Sequence, residues 1–178
     1  MRDKLILKID SKNHLSEDES NEIIALCSQA YEEDYAPYLA TFEDSYHILA
    51  RYEGVLVSHA LWITRWLQIG TGSLMRTAYV EGVATDEHHR SQGFATAVRE
   101  RLATEIKDFE IGGLSPAETS LYTRLGWEYW RGPLFHRKDN QLIRDPTDEE
   151  MMILRLPKTP NLDLTLPISV EWREGEVW

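Results

Sequence analysis

Between Tyr79 and Thr96 the chain reads Tyr-Val-Glu-Gly-Val-Ala-Thr-Asp-Glu-His-His-Arg-Ser-Gln-Gly-Phe-Ala-Thr, and this stretch restricts the fold more than any other. Its first half is β-branched and aromatic, the composition of a strand. Its second half, Arg90-Ser91-Gln92-Gly93-Phe94-Ala95, turns and then runs into an amphipathic helical pattern. A strand, a glycine-bearing loop and a helix N-terminus together make a place for a phosphate. The N–H groups of a first helical turn lack intrahelical partners, and the helix dipole favours an anion beside them. Arg90 adds a guanidinium to the loop, and Gly93 lets a ligand approach the backbone closely. The stretch predicts a pyrophosphate cradle.

The elements around it follow from local signals. Leu5–Ile9 reads as a strand, and Ser16-Glu17-Asp18-Glu19 as a capping box opening a helix with Ile23, Ile24, Leu26, Cys27 and Ala30 on its apolar side. Glu32 to Asp34 place acids at the helix C-terminus, against the dipole, which marks either a site or a plain surface loop. Pro37 starts a short helix or turn through about Phe42. Tyr46 to Tyr52, Val55 to Leu67 and Leu74 to Thr85 predict a three-stranded antiparallel meander turned at Glu53-Gly54 and Gly70-Thr71-Gly72. Phe94, Ala97, Val98, Leu102 and Ile106 carry helical spacing. Phe109 to Ser115 reads as a strand parallel to the one bearing Glu81, by the right-handed crossover rule. Pro116 begins a short helix ending near Gly126. Trp127 to Trp130 and Leu134 to Arg137 read as a hairpin through Arg131-Gly132-Pro133, and Lys138 to Glu150 as a polar loop. Met151 to Leu156 and Ile168 to Arg173 are the last expected strands.

At 178 residues one domain spanning 1–178 is expected, with enough chain for a substantial core. No apolar run reaches membrane-span length and the N-terminus is too polar for a signal peptide, so a cytoplasmic location is expected. The single cysteine, Cys27, excludes an intramolecular disulfide and reads as a small buried hydrophobe. Charge is unevenly spread. Residues 16–53 hold ten acids and one base and residues 139–178 nine acids and four bases, while residues 54–138 hold nine acids and ten bases. Acidic flanks argue against a nucleic-acid partner and suit a cationic one. His88 and His89 lack metal-ligand spacing, and no metal is expected.

This order of elements, with Arg90-Ser91-Gln92-Gly93-Phe94-Ala95 after a strand and before a helix, resembles the GNAT acetyltransferase superfamily. Leu121-Tyr122-Thr123-Arg124-Leu125-Gly126-Trp127 resembles its second signature. The resemblance implies an α/β fold with a mixed, mostly antiparallel sheet, a parallel pair at the cofactor cleft and helices on both faces. It also implies acetyl-CoA as cosubstrate, held by Val83, Ala84 and Thr85 and by the loop Arg90, Ser91, Gln92, Gly93, Phe94, Ala95 and Thr96. A narrower match is to the aminoglycoside 2′-N-acetyltransferases, carried by Tyr79-Val80-Glu81-Gly82-Val83-Ala84, Gly113-Leu114-Ser115, Leu121-Tyr122, Gly126-Trp127 and the ending Trp172-Arg173-Glu174-Gly175-Glu176-Val177-Trp178. In that family the last tryptophan contributes a side chain and a carboxylate to the substrate site.

The chemistry fits those residue types. An aliphatic amine, with a pKa of roughly 8 to 10, must lose a proton before it attacks a thioester. The resemblance gives that base role to Glu81, to the Trp178 carboxylate or to a water chain between them. The Val83 N–H is the candidate oxyanion donor if the strand bulges there, and the Tyr122 hydroxyl the candidate acid for the thiolate. Asp34, Glu81, Ser115, Glu149, Glu150, Glu176 and Trp178 are the candidate substrate ligands by family position. Each has a plainer structural role available: Tyr122 as a core tyrosine, Glu81 as an arginine's partner, Ser115 as a helix cap. Two departures bear on the substrate. Asp44-Ser45-Tyr46-His47 stands where the family has Gly-Gly-Met-His, and Pro37-Tyr38-Leu39 where it places further aspartates. A narrower, less acidic pocket follows, which suits the family's divergent kasugamycin-acetylating branch. An acetyltransferase of another small amine (polyamine, peptide or metabolite) is the nearest alternative, and a non-catalytic acyl-CoA sensor on the same fold the alternative from another class. Oligomeric state is open, with pairing through the last strands implied by the resemblance.

Overall fold

The computed structural model describes residues 4–116 and 119–178. It is a mixed α/β protein whose backbone falls into two compact units, residues 4–63 with 80–105, and residues 64–79 with 106–178. Two long strands, β3 (Val55–Ile69) and β4 (Leu74–Thr85), each contribute one half to either unit.

In the first unit β1 (Leu5–Ser11) pairs antiparallel with β2 (Tyr46–Tyr52), and β2 with the first half of β3 (Val55–Ile69). Glu53 and Gly54 between them both have positive φ, 51° and 88°, the two-residue turn whose twist matches the strands. Helix α1 (Glu17–Tyr31) opens on the expected capping box: Ser16 accepts from the Glu19 N–H, and Glu19 reaches back to the Ser16 N–H. Ile23, Leu26 and Cys27 form its buried stripe and pack with Leu39, Phe42, Leu49 and Leu61. The acids after α1 are satisfied locally. Glu32 takes the left-handed C-cap conformation, and Asp34 Oδ1 accepts from the Ala36 N–H at 3.0 Å, opening α2 (Ala36–Thr41). Helix α3 (Phe94–Glu105) buries Phe94, Val98 and Leu102, with the Phe94 ring 5.2 Å from that of Tyr52.

In the second unit the strand order is β6 (Trp127–Tyr129), β9 (Met152–Arg155), β5 (Ile111–Leu114), β4, β3, β10 (Ile168–Glu171), β7 (Leu134–Lys138), β8 (Gln141–Arg144). β5 (Ile111–Leu114) pairs parallel with the first half of β4 (Leu74–Thr85) through Thr77↔Ile111 to Tyr79↔Gly113, as the crossover rule predicts. β9 (Met152–Arg155) pairs antiparallel with β5 and with β6 (Trp127–Tyr129). β10 (Ile168–Glu171) lies antiparallel to the end of β3 and parallel to β7 (Leu134–Lys138). Helix α4 (Thr119–Thr123) is shorter than the expected Pro116–Gly126 helix, whose residues 117 and 118 lie outside the described residues.

Two expectations do not hold. β6 and β7 are not a hairpin: β6 lies on β9, and β7 on β10 and β8 (Gln141–Arg144). The reason lies in Arg131-Gly132-Pro133. The Arg131 and Gly132 N–H groups both bond to the Leu164 carbonyl at 2.9 and 3.0 Å, and a Cβ on Gly132 would sit 1.9 Å from the Leu166 carbonyl oxygen. That segment is committed to the 164–166 connection and cannot fold β7 back on β6. Residues 138–150 are likewise not all loop. Asp139 and Asn140 have φ of 51° and 61°, a tight turn that pairs β7 with β8.

Candidate active site

The first unit holds the far end of β4 and the cradle. Gly82 has φ +56°, a conformation that favours glycine, and a Cβ there would stand 2.9 Å from Tyr35 Oη. Three successive carbonyls of this segment are taken by side chains. The Gly82 carbonyl accepts from His59 Nδ1 at 2.8 Å, that of Val83 from Tyr31 Oη at 3.1 Å, and that of Ala84 from Ser58 Oγ at 3.0 Å. Thr85 Oγ1 stands 2.8 Å from the same Ser58 hydroxyl. Glu81, one residue before the bend, is half-buried.

Beyond Thr85 the chain makes a short helical turn at Glu87–His89, fixed by Asp86, whose Oδ1 accepts from the His88 N–H at 3.0 Å and faces His89 Nδ1 at 2.7 Å. The hydrogen bond with His89 holds the Asp86 carboxyl below its ordinary range. Ser91 and Gly93 follow with φ of 61° and 86°, and the Gly93 carbonyl accepts the first α3 bond, from Ala97 N–H at 3.0 Å. Arg90, Ser91, Gln92 and Thr96 are exposed, Ala95 is half-buried, and nothing lies within 4 Å of the place a Gly93 Cβ would occupy. Buried Phe94 pins the helix start from below. An exposed Arg90, open space over Gly93 and the start of α3 thus adjoin one another in sequence, the combination an anion would need at a helix N-terminus. Asp34 is exposed in the same unit and already bonded to Ala36.

The sequence reading missed a polar group behind this strand. Ser45, His47 and His59 are buried, and their polar atoms stand in series: Ser45 Oγ to His47 Nε2 at 2.9 Å, His47 Nδ1 to His59 Nε2 at 2.9 Å, His59 Nδ1 to the Gly82 carbonyl. Burial drives His47 down to about 3 and His59 down to about 4, so both rings are neutral at neutral pH. Cys27 lies beside them, its Sγ 3.7 Å from the Gly82 carbonyl, and burial pushes its thiol up to about 12. It is the buried small residue expected, and chemically inert. The available signal was two histidines at inward positions of adjacent strands.

The second unit holds the remaining candidates. Tyr122 on α4 is half-buried, its ring edge-on to Trp127 at 5.8 Å. Ser115 is exposed and donates to the Glu150 carbonyl at 2.8 Å. Glu149 is brought near Glu176. Desolvation first, and then the charges of Asp145, Asp148 and Glu176, raise its carboxyl above the ordinary range. The C-terminal segment is docked. Arg65, buried, donates to the Val177 carbonyl at 2.7 Å and to the Glu171 carbonyl at 2.5 Å, and Arg173 donates to the Glu176 carbonyl. Trp178 is buried, with its indole N–H on Asp145. Among the described residues no group of three or more His, Cys, Asp or Glu is placed to hold a metal.

Residues 12–130 match the model of the acetyltransferase (GNAT) domain. In structure the chain is similar to the GNAT family N-acetyltransferase YhbS of Escherichia coli in complex with CoA, with a TM-score of 0.65 and 16% identity over 96% of this chain and 91% of that one. It is also similar to Eis1 from Mycobacterium abscessus, with a TM-score of 0.58 and 22% identity over 72% of this chain, although it spans only 32% of that longer one. These likenesses show the fold. In sequence it is 33% identical to the aminoglycoside 2′-N-acetyltransferase of Mycolicibacterium fortuitum, over 74% of this chain and 70% of that protein. The chain belongs to the GNAT acetyltransferases and, within them, to the aminoglycoside 2′-N-acetyltransferase family.

Proposed function

We propose that this enzyme transfers the acetyl group of acetyl-CoA to the 2′-amino group of an aminoglycoside, of the kasugamycin or 2-deoxystreptamine type, and thereby confers resistance. The observation that carries the reading is the run from Gly82 to Gly93: a strand end whose carbonyls are held by side chains, followed by an open anion cradle. The relative from M. fortuitum supports the choice of substrate class, and the acid-rich stretches at 16–53 and 139–178 suit a polycationic one. Tyr46, stacked on Trp62 at 5.4 Å, puts an aromatic where the family has methionine, which favours a smaller aminoglycoside.

In this reading transfer is direct, within a ternary complex and without a covalent enzyme intermediate. Thr96 and the loop from Arg90 to Ala95 take the pyrophosphate, and Val83 to Thr85 take the arm that leads to the thioester. Glu81 accepts a proton from the substrate ammonium, through a water or directly, while Trp178 orients the amine. The free amine then bonds to the thioester carbon, and the carbonyl oxygen takes up negative charge opposite the Val83 N–H. Collapse breaks the carbon–sulfur bond, and the Tyr122 hydroxyl supplies a proton to the departing thiolate. Ser115, Asp34, Glu149, Glu150 and Glu176 bind the remaining amines and hydroxyls. Positioning and electrostatics supply most of the acceleration. We further propose a single domain acting in the cytoplasm, where acetyl-CoA is available, and pairing as a homodimer.

The test is a thiol-release assay with acetyl-CoA against kasugamycin, kanamycin, gentamicin and spermidine. Turnover with an aminoglycoside, and product acetylated at the 2′-nitrogen by mass and NMR, is the expected result. Turnover with spermidine alone would reassign the substrate, and cofactor binding with no thiol release would mark a sensor.

A further inference from the structure

Gly82 is where β4 leaves regular strand geometry, and its carbonyl leaves the strand for the interior. What receives it is the buried series Ser45–His47–His59. The proton count gives this series a direction. A carbonyl only accepts, so His59 Nδ1 carries the proton at 2.8 Å from the Gly82 oxygen. A neutral imidazole has one N–H, so His59 Nε2 accepts and His47 Nδ1 donates to it. His47 Nε2 then accepts from the Ser45 hydroxyl. In the reverse arrangement Ser45 donates instead to the Phe42 carbonyl, 3.0 Å away, but His59 Nδ1 and the Gly82 oxygen then face each other lone pair to lone pair. The first arrangement satisfies every bond in the series.

The consequence lies on the opposite side of the peptide. The described chain has no cis peptide bonds, and in a trans peptide the C=O of one residue and the N–H of the next point in opposite directions. Fixing the Gly82 carbonyl inward therefore fixes the Val83 N–H outward, away from the histidine pair. A Cβ at Gly82 would crowd the Tyr35 hydroxyl at 2.9 Å and Leu61 at 3.3 Å, and the φ of +56° itself favours glycine, so the bend is set locally as well.

We infer that His59, oriented by His47 and Ser45, is a positioning residue for acetyl transfer, which holds the Gly82–Val83 peptide with its N–H aimed at the developing oxyanion. The inference deepens the proposed function and rests on it for the identity of the transferred group. Electrostatic stabilisation of this kind depends on a donor already in place when charge develops, and loss of one such donor costs about 10²–10³-fold in turnover.

Two substitutions separate positioning from simple packing. The amide nitrogen of Asn falls near Nδ1 of the ring it replaces, and that of Gln near Nε2. His59→Asn keeps a donor for the Gly82 carbonyl, while His59→Gln keeps comparable bulk without it. The expected result is a kcat lower by about 100-fold in His59→Gln, with KM for acetyl-CoA within about threefold. His59→Asn recovers most of that loss at a similar melting temperature. Equal loss of kcat in both variants, or no loss in His59→Gln, would overturn the inference. Long-range proton–nitrogen spectra of histidine-labelled enzyme read the tautomers without any substrate. Nδ1–H on both rings is expected, and Nε2–H on His59 overturns the inference whichever amine is acetylated. Failure to acetylate any aminoglycoside overturns the substrate reading alone, and kcat is then measured with the amine the enzyme does accept.

Discussion

Trp178 donates its indole N–H to Asp145 Oδ2 at 2.7 Å, while Asp145 Oδ1 stands 2.6 Å from His136 Nδ1. One buried carboxylate thus ties the C-terminal segment to β7. Asp145→Ala leaves the indole N–H without an acceptor in a buried position, a loss of about 1–3 kcal/mol. The expected outcome is a lower melting temperature and red-shifted tryptophan emission. If Trp178 orients the amine, KM for the aminoglycoside rises while KM for acetyl-CoA holds, which steady-state kinetics will read directly.

Tyr122→Phe removes one hydroxyl and keeps the edge-on contact with Trp127. Turnover is expected to fall by about 10²-fold, the range for loss of a general acid, with acetyl-CoA affinity by calorimetry unchanged. An unaltered kcat would take Tyr122 out of the mechanism.

The cradle can be probed at Gly93. Its φ of +86° is costly for other residues, but a Cβ there meets nothing within 4 Å. Gly93→Ala should cost about 1–2 kcal/mol of stability through backbone strain alone. Gly93→Val adds bulk over the first-turn N–H groups, and is expected to weaken acetyl-CoA binding at least tenfold beyond the alanine variant. Equal affinity in the two variants would mean that the loop does not receive the phosphates.

The histidine pair predicts a pH dependence of stability. Both rings stay neutral in the folded protein down to about 4 and about 3, whereas in the unfolded chain they take up protons near the ordinary 6.5. The unfolded state therefore binds more protons below that value, and stability falls as pH falls. Stability is full above pH 6.5 and declines between there and pH 4, with a slope approaching 1.4 kcal/mol per pH unit for each histidine. Urea denaturation at stepped pH should show the decline, and His47→Gln should flatten it.

Much of the fold was legible because its signals are local. The Ser16–Glu19 capping box, the Glu53-Gly54 turn, the amphipathic stripe of α3 and the glycine-bearing loop between β4 and α3 each depend on residues a few positions apart. The errors lie where partners are distant. Gly132 reads as the turn of a hairpin until the Leu166 carbonyl is known to press against it. Asp139-Asn140 carries a clear turn signal, but the strand it opens, Gln141–Arg144, is short and wholly exposed, so no buried alternation marks it. Within the candidate site, Tyr122 and the Arg90–Thr96 loop stand out as motifs. His47 and His59 were not, since each is unremarkable alone. Their pairing depends on a register slip between Ala50 and Arg51 that no short window contains.

The buried thiol has a practical use. Cys27 is the single cysteine, sealed in the core with its ionisation pushed up to about 12, so maleimides and spin labels will leave the native protein untouched at neutral pH. A cysteine introduced at an exposed position such as Gln92 then becomes the one reactive handle. If the loop takes the pyrophosphate, a dye attached there reports arrival of acetyl-CoA without a background to subtract and without deleting the native thiol first.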